Sequence, residues 1–276
     1  MKWITFSRKM GTQGTDVAKR VASGLGYPLY DTKAINHMAE ELGVLGSVRK
    51  VDEKVPPLFQ RLFSQRPMVY LERLYSVIYE LAKQGDAVFL GRGSHLLLRD
   101  FPCALHVRVT ASPETCLRTL LDQGLNREAA ARAIKRTDDE RSAFVQFAFG
   151  VDWADPVRYD LVLNMDKLSV SLAVSTVLQM VRSPEFSEAS TEALRALDTM
   201  ALTSRAEAAL IEATFGYEFA TSLSVSVVAP RKIQVRGTVG TEARRAEAEQ
   251  VLRAVKGVDA VENLIEVAQV IPIQTV

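Results

Sequence analysis

Five short apolar runs constrain this chain more than any other feature it has. WITF (3 to 6), YPLYD (27 to 31), AVFLG (87 to 91), ALHVRVT (104 to 110) and YDLVLNM (159 to 165) each have strand length. The segments between them are long enough for crossover helices. Hydrophobicity along the runs is continuous rather than alternating, as expected of strands covered on both faces. The pattern predicts a parallel sheet in an α/β layer fold.

The helices between the runs carry their own marks. Val17, Val21 and Leu25, with Ala18 and Ala22 beside them, form an i, i+4 stripe that stops at Gly26. Ser112 and Pro113 read as N-cap and first residue of a helix entering ETCLRTLLDQG, and Asn126 caps REAAARAIKRTDDER in the same way. Residues 52 to 84 read as two helices broken at Pro56, Pro57 and Pro67.

Between the first run and the first helix lies TFSRKMGTQGTD. A strand that feeds a glycine turn into a helix presents backbone N–H groups and the positive end of the helix dipole, which suits phosphate. Gly11 and Gly14 let the backbone approach closely. Where a nucleotide-binding loop of the form G-x-x-x-x-G-K-[ST] has its lysine, this chain has Gly14, followed by Thr15 in the place of the magnesium-binding hydroxyl. Arg8 and Lys9 flank the turn and are the candidate replacement cations. The other reading of the loop is a plain structural turn.

A length of 276 residues suits two domains. Apolar residues are 47%, charged residues 24% and the net charge is +1, so nothing global favours nucleic acid or an anionic membrane, and any anion site must be local. No stretch approaches the roughly 20 apolar residues needed to span a bilayer, and MKWITFSRKMG is too short and polar for a signal peptide. A cytoplasmic protein without integral membrane association is expected. Cys103 and Cys116 form no C-x-x-C pair, and His37, His95 and His106 are scattered, so reduced packed thiols are expected and no metal cluster is indicated.

After about residue 182 the grammar changes. SPEFSEASTEALRALDTMALTS reads as a linker with some helix, which places a first domain at 1–182, the linker at 183–198 and a second domain at 199–276. The second domain runs helix, alternating strand LSVSVVA, strand KIQVRGTV, helix TEARRAEAEQVLRAV and strand AVENLIEVA. Val225 and Val227, then Ile233 and Val235, predict an antiparallel pair with one polar face in a small α+β module. Residues 199 to 276 hold eight Lys/Arg and nine Asp/Glu, a net of −1, which does not support an electrostatic membrane anchor.

The order of several motifs carries a resemblance. SRKMGTQGTDVAKRVASGLGYPLYDTKAI resembles the start of the cytidylate kinases of the nucleoside monophosphate kinase group. GRG at 91 to 93 resembles their G-R-D, KRTDDER at 135 to 141 their arginine-rich lid, and DPVRYDLVLNMDKLS their last strand. Closer still is the divergent cytidylate kinase-like family, whose loop begins S-R-E-x-G and lacks the lysine, with later segments G-R-G, T-D-x-E-R and W-x-D-P-x-x-Y-D-L. Here these read SRKMG, GRG, TDDER and WADPVRYDL. The resemblance covers residues 1 to about 182. Residues 199 to 270 resemble a BON domain, through the V-x-G-x-V core of KIQVRGTV and the flanking helices and strands.

The resemblance implies a P-loop kinase-like parallel sheet with flanking helices and a lid, followed by a small C-terminal α+β BON-like domain. It implies ATP and Mg2+ as cofactors and phosphoryl transfer to a small acceptor such as CMP, with a non-catalytic nucleotide sensor and a ligand-free scaffold as the alternatives. Phosphoryl transfer needs positive charge and positioning around the transferring group. The implied phosphate-binding residues are Ser7, Arg8, Lys9, Gly11, Thr12, Gln13, Gly14 and Thr15, with Thr15 also the magnesium ligand. Arg8, Arg136 and Arg141 are the candidate catalytic cations, with Arg132 on the same lid and Asp138 to organise them. The competing reading of the lid is a solvated basic face balanced by Asp138, Asp139 and Glu140. Arg92 and Asp31 fall on the acceptor side, although Asp31 equally suits capping of the next helix. Trp153 and Tyr159 are placed in packing ahead of base stacking. A regulatory or self-association role, or ligand binding, is expected of the BON-like domain, alongside a passive stabilising one.

Overall fold

The computed structural model describes residues 1–44, 67–186, 188–215 and 222–268. Of the two helices expected over 52 to 84, the first lies outside the described residues. The second is α3 below.

The first domain runs β1 (Trp3–Arg8), α1 (Gly14–Leu25), β2 (Leu29–Tyr30), α2 (Thr32–Glu41), α3 (Pro67–Lys83), β3 (Ala87–Leu90) and α4 (Ser94–Leu97). It continues with β4 (Ala104–Thr110), α5 (Pro113–Asp122), α6 (Arg127–Phe149), a 3-10 turn at Pro156–Arg158, β5 (Leu161–Asn164) and α7 (Val170–Arg182). The five strands form one sheet in the order β2-β3-β1-β4-β5. All four pairings are parallel, and Phe6 lies opposite Leu90 on one side and Val107 on the other.

The continuous apolar runs are explained by two cores, one on each face of the sheet. Trp3, Ala87 and Phe89 point to one side, against Leu74 and Ile78 of α3. Ile4, Phe6, Val88 and Leu90 point to the other, against Val17 and Val21 of α1 and Val177 of α7. Burying each of these large side chains stabilises the fold by roughly 1.5–3 kcal/mol. The helix ends follow their sequence marks: Ser112 accepts from Thr115 N–H, Asn126 from Ala129 N–H, and Gly26 closes α1 in the left-handed conformation.

Helix α8 (Thr191–Leu210) begins inside the stretch read as a linker. It gives Leu197 and Ala201 to the first domain's core, and Leu202, Ala206 and Leu210, farther along or on another face, to the second. It is also stitched to α3 by polar contacts. Lys83 bridges Glu80 (3.1 Å) and Asp198 (2.6 Å), Arg205 pairs with Glu80, and Arg73 pairs with Glu212 (2.7 Å) just past the end of α8. Beyond it, β6 (Ser224–Ala229), β7 (Lys232–Val239), α9 (Glu242–Arg253) and β8 (Ala260–Val267) complete a small mixed α+β module. Its β6-β7 pair is antiparallel, and β7-β8 is parallel. Among the described residues no helix is long and apolar enough to cross a membrane.

Candidate functional site

In open parallel sheets, ligands bind outside the carboxyl ends of the strands, where the chain leaves a central strand toward both sides. Here that strand is β1, flanked by β3 and β4. Its carboxyl end runs into the loop 9–13 and then α1, so the glycine turn lies where the topology puts a ligand.

The loop is tightly built. Lys9 N–H donates to Val109 O (3.0 Å) and Thr12 Oγ1 donates to Lys9 O (2.8 Å), while the Thr12 hydroxyl also accepts from Gly14 N–H (3.3 Å). Gln13 takes a left-handed backbone, φ 58°, as the N-cap of α1. That conformation is uncommon outside glycine, and such strain gathers at functional sites. The amides of Gly11, Thr12 and Gln13 have no hydrogen-bond partner among the described residues. Gly14 is buried, and a Cβ there would lie 2.7 Å from Arg8 Cβ and 3.0 Å from Val109 Cβ. The position aligned with the missing lysine therefore has no space for a side chain. Thr15, half-buried in the first turn of α1, is the hydroxyl available to a phosphate-bound magnesium.

Helix α6 lies against this loop. Asp138 Oδ1 accepts from Met10 N–H (2.8 Å), and Arg141 Nη1 donates to Arg8 O (2.8 Å). Arg141 and Asp138 are themselves 3.6 Å apart, at 13% and 15% side-chain exposure. Burial pushes the Asp138 carboxyl above the usual carboxylate range, opposed by the Met10 hydrogen bond and by Arg141, Lys9 and Arg108. The structure thus gathers Arg8, Lys9, Asp138 and Arg141. It does not bring Arg136 to them: that side chain is 72% exposed and lies 3.9 Å from Glu140, while Arg132 pairs with Glu128 on the outer surface. Arg136→Ala is expected to change stability by less than about 0.5 kcal/mol, checked by denaturant unfolding.

Arg92 sits at the end of β3 with only 1% of its surface exposed, in a left-handed backbone, φ 59°, between two glycines of the same hand. Together with Arg141, Ser7 and His95 it lines a cavity of about 20 Å³ beside the loop. That is room for a water and not for a nucleotide. A side chain at Gly93, where the true cytidylate kinases have aspartate, would meet the Phe149 ring 2.3 Å away. The larger hollows lie far from the loop: 720 Å³ between α3, α8 and α9, and an open 860 Å³ depression at the ends of β7 and β8. The small cavity is the one lined by Arg8, where β1 runs into the loop, and by the buried Arg92 and Arg141.

Sequence reasoning missed the network beneath the loop. Arg108 on β4 is 5% exposed, donates to Trp153 O (2.7 Å) and lies over the Trp153 ring at 4.3 Å. Trp153 Nε1 donates to Ser7 Oγ (2.7 Å), and the Tyr159 hydroxyl donates to Trp153 O (2.9 Å). Both aromatics are therefore packing residues that fix Ser7 from below. His95 stacks on Tyr159, and burial, with His106 and Arg108 nearby, holds its pKa down to about 3, so it stays neutral. Asp31 accepts from Lys33 N–H (2.9 Å) and Ala34 N–H (3.1 Å), capping α2.

The family model described as the cytidylate kinase-like family matches residues 3–167, from the start of β1 to just past β5. The chain belongs to the cytidylate kinase-like family. A BON domain model matches residues 201–269, so the cytidylate kinase-like domain is followed by a BON domain. A crystal structure of an uncharacterized protein from Eubacterium ventriosum ATCC 27560 aligns at a TM-score of 0.54 with 19% identity, covering 66% of this chain and 99% of that one. A shikimate kinase from Bacteroides thetaiotaomicron aligns at 0.40 with 15% identity, covering 66% and 99%. A gluconokinase from Sinorhizobium meliloti 1021 aligns at 0.40 with 15% identity, covering 65% and 91%. At 19% identity the likeness to the first of these is one of fold. No curated protein matches the chain.

Proposed function

We propose that the cytidylate kinase-like domain binds ATP with magnesium and transfers a phosphoryl group to a small acceptor, with a nucleoside monophosphate such as CMP the favoured class. The observation that carries this reading is the loop between β1 and α1. It turns the unpaired amides of Gly11, Thr12 and Gln13 into the N-terminal end of a 12-residue helix, beside Lys9 and Arg141. Backbone amides and the helix dipole hold phosphate oxygens, and the neighbouring cations offset the charge that the absent lysine would meet. Thr15 is the residue placed to hold magnesium, which when bound neutralises charge on the phosphates. Arg92 is the acceptor-side cation. Buried reduced thiols at Cys103 and Cys116 fit the cytoplasm, where ATP is supplied.

Calorimetric titration with a non-hydrolysable ATP analogue and magnesium tests the reading. Micromolar binding is expected, weakened at least about tenfold by Lys9→Ala, since one charged contact is worth roughly 1.5–3 kcal/mol. An absence of binding in the parent protein would remove the reading. Tight binding with no turnover of any nucleoside monophosphate would leave the sensor reading in its place, with the BON domain passing occupancy to a ligand or partner.

A further inference from the structure

The inward stripe of α6 is apolar at both ends and charged in the middle. Ala130 and Ile134 pack at one end, Phe144 and Val145 at the other, and Asp138 and Arg141 lie between them. A charged pair placed within an apolar stripe is costly unless something complementary faces it. What faces it is the phosphate loop. Asp138 puts a carboxylate oxygen 2.8 Å from Met10 N–H, and Arg141 holds Arg8 O from the same side. An anionic oxygen on a loop amide, flanked by Lys9 and Arg141, is the chemistry a phosphoryl oxygen would have there.

We propose that Asp138 is an internal ligand of the phosphate loop, which holds α6 docked over the site until a phosphoryl oxygen of the incoming nucleotide replaces it at Met10. This rests on the nucleotide-binding reading above and adds to it a gate. The docked state is closed, because the cavity left between Arg141, Phe144 and Val145 of α6 and the ends of β1 and β3 holds about 20 Å³. Turns at Gly124 (φ 90°) and Gly150 (φ 68°) bound the helix, and a Cβ at either would meet nothing within 4 Å, so they can take up a small rotation that swings Asp138 off Met10 while Arg141 stays beside the loop. One anion exchanges for another, so the measured affinity of the loop is a difference between two similar contacts.

Removing the competitor should therefore tighten phosphate binding. The experiment titrates the full chain, Asp138→Asn and Asp138→Ala with inorganic tripolyphosphate and with a magnesium-loaded non-hydrolysable ATP analogue. Asp139→Asn, which removes the same charge from the exposed outer face, is the control. Hydrogen exchange at the Met10 amide is followed in the ligand-free proteins. The expected result is about tenfold tighter binding of both probes to the two Asp138 variants, no change in Asp139→Asn, and faster exchange at Met10 in Asp138→Ala. Asparagine keeps the shape of the contact, so that variant stays informative if alanine unfolds the chain. Binding by the parent protein that is unchanged in both Asp138 variants, or equally changed in Asp139→Asn, overturns the gate and leaves the nucleotide reading intact. Release of Met10 without binding of either probe by any variant overturns both.

Discussion

Gly14→Lys, the substitution that rebuilds the lysine of an ordinary nucleotide-binding loop, is expected to destabilise this protein by about 3 kcal/mol, lowering Tm by roughly 6–12 °C, with no gain in ATP affinity. A Cβ at position 14 would meet Arg8 Cβ at 2.7 Å and Val109 Cβ at 3.0 Å. Both atoms are fixed directly to strand backbones, β1 and β4, so no change of rotamer relieves the contact. The penalty thus falls at the upper end for overpacking. Thermal unfolding of Gly14→Lys beside Gly14→Ala measures it, and most of the loss should already be present in alanine. A lysine variant that melts like the parent and binds ATP more tightly would show that the loop can relax, and that the lysine is absent for another reason.

The second large effect is expected at the seam between α3 and α8. Glu72 and Glu207 are hydrogen-bonded to one another there, and Ser204 also bonds Glu72. Burial, then the Glu72 charge, pushes Glu207 up to about 8. Glu72 is raised as well, chiefly by burial. The folded state therefore holds a proton that the unfolded chain releases in the ordinary carboxylate range. The stabilisation is fully present below that range and is lost as pH rises through about 8. Glu207→Gln keeps a neutral donor facing Glu72 at every pH. It should leave Tm nearly unchanged at pH 4 and raise it by roughly 4–8 °C at pH 9, on the order of 2 kcal/mol after allowance for solvent screening. Tm curves for the two proteins that stay parallel from pH 4 to 9 would show that the pair carries no such proton.

Much of the first domain is legible in its string because the signals are local. A run such as AVFLG is apolar throughout because Val88 and Leu90 face one core while Phe89 faces the other. Ser112, Asn126 and Gly26 mark helix ends through bonds to residues a few positions away. The full length of α6 is harder to read. The sequence suggests a helix near 127–141, yet Phe144, Val145 and Phe149 carry it inward to Gly150, and only the packing partner reveals that. The site divides in the same way. Glycines 11 and 14 announce a close turn, whereas the Asp138 contact with Met10 joins residues 128 apart in sequence. Arg108 looks like an ordinary strand residue until Trp153 and Tyr159 cover it.

The border between the two family matches falls between residues 167 and 201, and for its last ten residues it lies inside the continuous helix α8. The two modules therefore share a beam instead of being joined by a tether. Cutting the chain at that border would strip Leu197 and Ala201 from the roof over α3, leaving an oily furrow on one piece. The other piece would keep Leu202, Ala206 and Leu210, on which it seats Leu223, Val225 and Ile233, but would bare the α8 surface that had faced α3. Neither half is a spare part. One helix is at once the floor of the BON module and part of the ceiling over α3.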